Sequence, residues 1–247
     1  MKVLVTGANG YIGTRLLLLL AEKGHDIVAL SRVVESVYVP EKIRKQVRVI
    51  QGDLLKGVHF PEEIEAAYYL VHSMSSHSKG FDERDRKGAT HFIEALSKTK
   101  CKQVIYLTGL ITTKNLSKHL RSRLEVETIL KSGPVPVTVF RAGIIIGSGS
   151  ASFEIIRDLV EKLPIMVAPK WLKTRCQPIA ISDVLFYLSE SLGNEKCLGK
   201  VFDIGGPNVL TYREMLLEYA RIRKLKRWIV TLPLLTPNLS SLWLIFI

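Results

Sequence analysis

The sequence predicts an α/β fold built on a doubly wound parallel β-sheet. A short apolar strand, Lys2–Thr6, leads directly into the glycine turn Gly7-x-x-Gly10-x-x-Gly13, and a helical pattern follows from Tyr11. Apolar strand-like runs then alternate with helical patterns up to about residue 150. Continuously apolar strands indicate a parallel sheet that is covered on both faces. With right-handed crossovers this arrangement is a Rossmann fold, in which ligands bind beyond the carboxyl ends of the strands.

The elements of the first half follow the chain in a simple strand–helix order. The predicted strands are Lys2–Thr6, Asp26–Ser31, Val47–Gln51, Ala67–His72, Gln103–Thr108 and Val135–Arg141. The predicted helices are Tyr11–Lys23, Phe81–Lys98 and Leu116–Lys131, with shorter ones near Glu41 and Glu62. The leucine run from Leu16 to Leu20 is far too short to span a bilayer, so it predicts a helix buried on several sides.

The pattern changes after residue 150. A helix (Ser152–Lys162), a proline-punctuated segment and a helix (Ser182–Leu192) precede a short strand (Lys200–Ile204). Thr211 then begins a further helix, with Glu214 completing a capping box. We expect a nucleotide-binding core over residues 1–150 and an extension over 151–230, which completes the sheet and adds a small C-terminal substrate-side subdomain. We expect the apolar tail, 231–247, to dock on another surface or to continue into further chain.

Charge and cysteine content narrow the class of protein. The chain has 35 basic and 23 acidic residues, a net charge of +12. No nucleic-acid module accompanies this charge, so nucleic-acid binding is disfavoured, whereas an anionic cofactor, an acidic substrate or anionic lipid suits it. Three widely spaced cysteines argue against a disulfide framework and a zinc site and predict a cytoplasmic protein. The basic stretch 221–227 before Trp228 leaves peripheral membrane contact open beside the simpler interpretation of a basic helix end.

The glycine turn predicts binding of a dinucleotide. Glycines allow the sharp bend and let backbone N–H groups approach a pyrophosphate closely. Enzymes that prefer NAD hold the ribose with a carboxylate about twenty residues beyond the glycines. Here the second strand ends Ser31-Arg32, and the next acid is Glu35. A guanidinium can hold a 2′-phosphate through two parallel hydrogen bonds, with Ser31 as a further donor, so NADP is favoured over NAD. The alternative is a solvated arginine at a strand end.

Six motifs, in order, resemble the short-chain dehydrogenase/reductase superfamily. They are the turn Thr6–Gly13, Gly52-Asp53-Leu54, Tyr106–Gly109, Phe140–Gly147, Pro178–Asp183, and Phe202–Pro207 with Leu210–Glu214. Within the superfamily the chain is most similar to the extended and atypical members, specifically the NmrA-like and YbjT-like NAD(P)-binding group. The resemblance implies a Rossmann fold and a nicotinamide cofactor, and it covers the chain up to about residue 222.

The resemblance also implies roles for individual residues. Asp53 would accept a hydrogen bond from the adenine amino group, and Leu54 would pack on the ring; a plain turn is the alternative for Asp53. His72 would face the nicotinamide and transfer a proton. The alternative is a histidine at the start of a loop that takes no part in the reaction. The implied cofactor-binding residues are Gly7, Asn9, Gly10, Tyr11, Ile12, Gly13, Ser31, Arg32, Asp53, Leu54, Val71, His72, Ser73, Thr108 and Arg123.

The family's catalytic Tyr-x-x-x-Lys pair is absent. Aligning Glu127 with the acid that closes the family's motif places His119 at the tyrosine and Arg123 at the lysine, with Ser122 retained. His119 can donate a proton near neutral pH, and Thr108 would add a hydrogen-bond donor. Arg123 can bind ribose hydroxyls, although arginine is not a conservative replacement for lysine. The alternative is a helix whose His119 and Arg123 face solvent.

Three functions remain open from the sequence. The first is an NADP-dependent oxidoreductase of unusual mechanism acting on an unidentified carbonyl or unsaturated small molecule. The second is a non-catalytic NADP(H)-sensing scaffold with a protein partner. The third is a peripheral membrane or quinone-related function.

Overall fold

The computed structural model describes residues 1–71, 81–111 and 117–231, without the side chains of residues 81, 118 and 119. The strands are β1 (Lys2–Thr6), β2 (Asp26–Ser31), β3 (Val47–Gln51), β4 (Ala66–Tyr69), β5 (Gln103–Gly109), β6 (Val137–Ala142), β7 (Ile145–Ile146), β8 (Ile165–Ala168), β9 (Arg175–Cys176), β10 (Ile179–Ala180), β11 (Val201–Ile204), β12 (Leu210–Thr211) and β13 (Trp228–Thr231). The α-helices are α1 (Tyr11–Glu22), α2 (Phe81–Leu96), α3 (Lys118–Ser132), α4 (Ala151–Lys162), α5 (Ile181–Glu190) and α6 (Tyr212–Ile222).

Seven parallel strands form the central sheet in the order β11-β6-β5-β4-β1-β2-β3. The strand order reverses between β1 and β4: β2 and β3 follow on one side of β1, and β4, β5 and β6 on the other. This switch point is the position where doubly wound sheets bind nucleotides. The predicted Rossmann fold is therefore confirmed.

Helices cover both faces of the sheet. Neighbouring side chains of a strand point to opposite faces, so Tyr68 and Tyr69 of β4 contact helices on different sides. The Tyr68 hydroxyl donates to the carbonyl of Leu188 in α5 (2.8 Å), while the Tyr69 ring packs against Phe92 in α2 with centroids 4.9 Å apart. Both tyrosines are buried. The leucine run in α1 is also largely buried, as predicted, with Leu16 and Leu20 at 0% exposure.

Several predicted boundaries shift, and one predicted element is wrong. The segment around Glu62 is a turn instead of a short helix, closed by the Ile64 amide donating to the Pro61 carbonyl (3.2 Å). Strand β4 ends at Tyr69 instead of residue 72. Strand β6 begins at Val137, just after Pro136, which has no N–H to donate to a neighbouring strand. The Thr211–Glu214 capping box is confirmed.

The chain divides into two compact units, and the division does not follow a single cut near residue 150. The first unit contains residues 1–142 and 182–204, so α5 and β11 belong with the central sheet. Residue Gln103 holds this returning segment, because its buried amide donates to the Ser191 carbonyl (2.8 Å) and accepts from the Gly193 amide (2.8 Å).

The second unit contains residues 143–181 and the described residues from 205 onward. It holds three two-stranded pairings, β7 with β10, β8 with β13 and β9 with β12. Its core lies between α4, β8 and α6, and is formed by Val160, Met166, Ala168, Leu172, Leu216 and Ala220. Of the predicted apolar tail, 231–247, all but Thr231 lies outside the described residues.

Candidate cofactor-binding site

The glycine turn after β1 is packed so tightly that side chains do not fit. Gly7 has φ +69°, and a Cβ atom on it would lie 2.7 Å from the Leu70 carbonyl oxygen. A Cβ atom on Gly13 would lie 2.2 Å from the Gly7 carbonyl oxygen. The Gly10 amide donates to that same oxygen (3.0 Å) and closes the turn. The turn therefore brings the start of α1 close to the carboxyl end of β1.

The N-terminus of α1 is left open to a ligand. Gly10 is the N-cap residue and provides no side-chain hydrogen bond, and the first turn carries no acidic residue. Tyr11 lies at the first helical position, where the Arg15 guanidinium stacks over its ring at 4.0 Å from the centroid. Ile12 beside it is half-buried. Free N–H groups and the positive end of the helix dipole favour a bound phosphate here.

The loop after β2 is linked to the glycine turn by a serine that sequence reasoning missed. The Asn9 amide donates to Ser36 Oγ (3.1 Å), and Ser36 Oγ donates to the Val33 carbonyl (2.6 Å). Ser36 lies in a short 3₁₀ turn, Val34–Ser36, that has no strong sequence signature. Asn9 thus braces the loop that carries Arg32.

Ser31 and Arg32, the two residues predicted to hold a 2′-phosphate, differ in their availability. Ser31 is buried, and its hydroxyl donates to the Val33 carbonyl (2.8 Å) while it also contacts Ser36 Oγ (3.0 Å). The Ser31 hydroxyl is thus already committed inside the loop. The Arg32 side chain is exposed and pairs with no carboxylate among the described residues, and only its backbone carbonyl is engaged, by the Gln51 amide (3.2 Å).

Asp53 and Leu54 occupy the turn after β3. One Asp53 carboxylate oxygen accepts from the Leu55 amide (3.0 Å), and the residue is partly exposed, so its other oxygen is available to a ligand. Leu54 is only 7% exposed and packs in the core against α2. Its contact with the adenine ring stays a prediction, and such a contact would use the small exposed part of a side chain that otherwise packs in the core.

Three predicted cofactor-binding residues follow β4, and the structure describes one of them. Val71 is exposed directly after the strand. His72 and Ser73 lie outside the described residues.

Thr108 and Arg123 meet at the carboxyl end of β5. Thr108 is 4% exposed, and its hydroxyl lies beside that of Tyr106 without a hydrogen bond of good geometry to any described residue. A Cβ atom on Gly109 would lie 3.7 Å from Arg123 Nη1, which places this guanidinium over the strand end. The Tyr106 hydroxyl donates to the Arg123 carbonyl (3.2 Å), and burial raises the Tyr106 pKa to about 12. His119 is in the same helix, and its side chain is outside the described part.

A second set of residues around α3 was not predicted as part of the site. Glu127, 3% exposed, accepts two hydrogen bonds from Arg141 Nη2 (2.9 and 3.0 Å) and one from Lys131 Nζ (2.6 Å). The buried Ser122 hydroxyl donates to Asp85 in α2 (3.1 Å). A spacing of four residues between Arg123 and Glu127 favours an ion pair within the helix, but this carboxylate is engaged elsewhere.

The basic stretch at the end of α6 is mostly engaged inside the second unit. Arg221 pairs with Glu218 (2.6 Å), and Arg223 pairs with Glu161 (2.8 Å). Arg227 donates to the carbonyls of residues 160 and 161 at the end of α4. These contacts favour a basic helix end over a membrane-binding surface. No helix in the described part of the chain is long and apolar enough to cross a membrane.

Comparison with known proteins identifies the family. A family model described as NAD(P)H-binding matches residues 7–145, more than half of the chain. The chain belongs to this NAD(P)H-binding family. Together with the seven-stranded sheet, the match supports the resemblance to the atypical short-chain dehydrogenase/reductases, an NAD(P)-binding group.

Individual relatives of this NAD(P)H-binding protein are distant. Divinyl chlorophyllide a 8-vinyl-reductase, chloroplastic, of Oryza sativa subsp. indica is 24% identical over 223 residues, which cover 83% of this chain and 54% of that protein. The uncharacterized protein YLL056C of Saccharomyces cerevisiae is 29% identical over 116 residues, 45% of this chain and 39% of that protein. The chain thus spans about half or less of the length of these curated relatives.

A solved structure confirms the fold across nearly the whole chain. UDP-glucuronic acid 4-epimerase from Bacillus cereus in complex with NAD has a TM-score of 0.74 and 17% identity, covering 94% of this chain and 86% of that chain. The family match and such neighbours support a nicotinamide dinucleotide as the cofactor.

Proposed function

We propose that this protein is an NADP-dependent oxidoreductase that reduces or oxidises a small carbonyl or unsaturated substrate without a Tyr-x-x-x-Lys pair. The observation that carries the NADP assignment is Arg32, an exposed guanidinium at the end of β2 with no carboxylate partner among the described residues. A carboxylate in this place would repel a 2′-phosphate, whereas a guanidinium attracts it.

The residues at the carboxyl ends of the strands fit a dinucleotide cofactor. Gly7 and Gly13 leave no room for side chains, so the backbone can approach a pyrophosphate, and the N-terminus of α1 has no internal cap. Arg32 would hold the 2′-phosphate and Asp53 the adenine amino group. Because the hydroxyls of Ser31 and Ser36 both donate to the Val33 carbonyl, we assign the 2′-phosphate to the Arg32 guanidinium alone.

The cofactor supplies hydride transfer, and the protein has to bind, orient and protonate the substrate. Thr108 places a buried hydroxyl at the end of β5, with Arg123 beside the same strand end. In our proposal Thr108 orients the reacting oxygen or double bond by hydrogen bonding. His119, which aligns with the family's tyrosine, moves the proton. The name of one relative, a vinyl-reductase, agrees with reductase chemistry.

The test is a titration of the purified protein with NADPH and NADH, followed by nicotinamide fluorescence, for the wild type and Arg32→Ala. We expect the wild type to prefer NADPH, and Arg32→Ala to weaken NADPH binding at least about tenfold with little effect on NADH. Arg48→Ala, which removes another exposed arginine from the neighbouring strand β3, is the matched control and leaves both affinities unchanged. Equal weak binding of both cofactors, untouched by Arg32→Ala, would refute the NADP assignment.

A non-catalytic NADP(H) sensor is the second candidate, favoured by the replacement of both catalytic positions at His119 and Arg123. A partner captured from cell extract only in the presence of NADPH, with no turnover across a carbonyl and enone panel, would favour it. Capture that ignores the cofactor would count against it. We also propose a reducing, cytoplasmic location, supported by the three unpaired cysteines, Cys101, Cys176 and Cys197.

A further inference from the structure

Arg123 is a half-buried cation that is fixed at the carboxyl end of the sheet. Its backbone carbonyl accepts the Tyr106 hydroxyl (3.2 Å), which ties this turn of α3 to β5. Its Nη1 atom lies 3.7 Å from the position of a Cβ atom on Gly109, so the absence of a side chain there leaves the guanidinium facing the strand end. The charge is therefore held where substrates of this fold bind.

No carboxylate in the described part of the chain forms an ion pair with Arg123. Glu127, one helical turn further on, is taken by Arg141 and Lys131. Asp85 accepts the Ser122 hydroxyl instead (3.1 Å), and Glu125 faces Arg86 (3.8 Å). The segments outside the description, 72–80, 112–116 and 232–247, contain no aspartate or glutamate. Every aspartate and glutamate of the sequence therefore lies among the described residues, and none of them forms an ion pair with Arg123.

A half-buried guanidinium without a carboxylate partner offers its positive charge and its N–H donors to a ligand. Ribose hydroxyls of a nicotinamide cofactor can satisfy some of the five guanidinium N–H donors, but they are neutral and leave the charge uncompensated. A planar guanidinium binds carboxylate and phosphate groups through two parallel hydrogen bonds. The arrangement therefore calls for an anionic oxygen group.

We propose that Arg123 is the recognition residue for a carboxylate or phosphate group on the substrate, so that the substrate class is a small organic acid or phosphate ester. This inference rests on the proposed oxidoreductase function and specifies the substrate of that same site. The neighbouring Thr108 hydroxyl then serves the reacting group, and Arg123 the anionic group. Neutral carbonyl compounds are poor ligands because they leave the guanidinium unpaired.

The test uses the full chain saturated with NADP⁺, so that the phosphate-binding positions of the cofactor are filled. Oxalate and inorganic phosphate, as probes of the two chemistries, are titrated by calorimetry into the wild type, Arg123→Gln and Arg123→Lys. We expect saturable binding of one or both probes to the wild type, at least about tenfold weaker in Arg123→Gln and intermediate in Arg123→Lys. The stronger probe identifies a carboxylate or a phosphate as the natural group.

Arg121→Gln is the matched control, because Arg121 is an exposed arginine two residues earlier on the same helix. It should bind both probes as the wild type does. Anion binding that is equal in Arg123→Gln and the wild type, or absent from the wild type, overturns the proposal. NADPH titrations on the same samples separate the two ideas: an intact NADPH preference with no anion binding refutes only the substrate class, whereas lost NADPH preference refutes the proposed function.

Discussion

Gly13 offers the sharpest test of the glycine turn, because the effect of an added methyl group can be worked out from the structure. In Gly13→Ala the new Cβ atom would lie 2.2 Å from the Gly7 carbonyl oxygen and 2.9 Å from Ala8 Cα. Even a close C···O contact is about 3.3 Å long, so the turn has to open by about 1 Å. That displacement moves the backbone N–H groups that we assign to the pyrophosphate.

The expected consequence is a large loss of cofactor affinity with a moderate loss of stability. Loss of one hydrogen bond to the charged pyrophosphate costs about 1.5–3 kcal/mol, which is about tenfold or more in NADPH affinity. Overpacking of this kind costs about 1–3 kcal/mol of unfolding free energy. NADPH fluorescence titration measures the first quantity, and urea unfolding the second. The protein has to remain folded at the titration temperature for the comparison to hold.

Gly24 provides the matched control at the other end of the same helix. It also has a positive φ (+79°), but a Cβ atom there would meet nothing within 4 Å. Gly24→Ala should therefore cost about 1 kcal/mol of stability, from the left-handed backbone alone, and leave NADPH affinity unchanged. A folded Gly13→Ala protein that binds NADPH within about twofold of wild type would refute the assignment of the turn to the pyrophosphate.

Three further predictions concern the buried polar groups. Glu127→Gln leaves Arg141 and Lys131 without their shared carboxylate, and we expect a loss of about 3–5 kcal/mol in urea unfolding; a change below about 1 kcal/mol would contradict this. Gln103→Leu leaves the Ser191 carbonyl and the Gly193 amide without partners, so we expect a loss of about 2–5 kcal/mol, and wild-type stability would show that the network contributes nothing. Burial raises the pKa of the Cys101 thiol to about 11, so at pH 8 it stays protonated and we expect slow reaction with a thiol reagent until urea unfolds the chain; fast labelling of the folded protein at this residue would contradict the burial.

Sequence patterns predicted the first half of this fold well because its signals are local. The strand, glycine turn and helix at residues 2–22 are contiguous, and each has its own physical requirement. The helix predicted near Glu62 failed because a few polar residues before a strand form a turn as readily as a helix. That residues 182–204, and not the whole of 151–230, join the unit of the central sheet depends on distant contacts, such as that of Gln103 with Ser191, which no local pattern contains.

The site shows the same division between local and distant information. Arg32 was identified from its distance to the glycines and Asp53 from the family resemblance of its motif, and both side chains have a group available to a ligand. Ser31 looked equally available, but its hydroxyl bonds to Val33 two residues later in the chain. Leu54 was assigned to the adenine ring by family position, whereas packing against α2 buries it. A motif identifies the residue, and the partners of its side chain decide whether a ligand can use it.

The partners of Glu127 bear most directly on function. By helical spacing alone, Glu127 would pair with Arg123 and neutralise it, and Arg123 would then have no charge to offer a ligand. Arg141 reaches the same carboxylate from β6 with three hydrogen bonds, and Lys131 adds a fourth. Glu127 is therefore engaged away from Arg123, which has no ion-pair partner in the described part of the chain. This unpaired guanidinium at the strand end, which our alignment places at the family's lysine, is the reason we propose an anionic substrate.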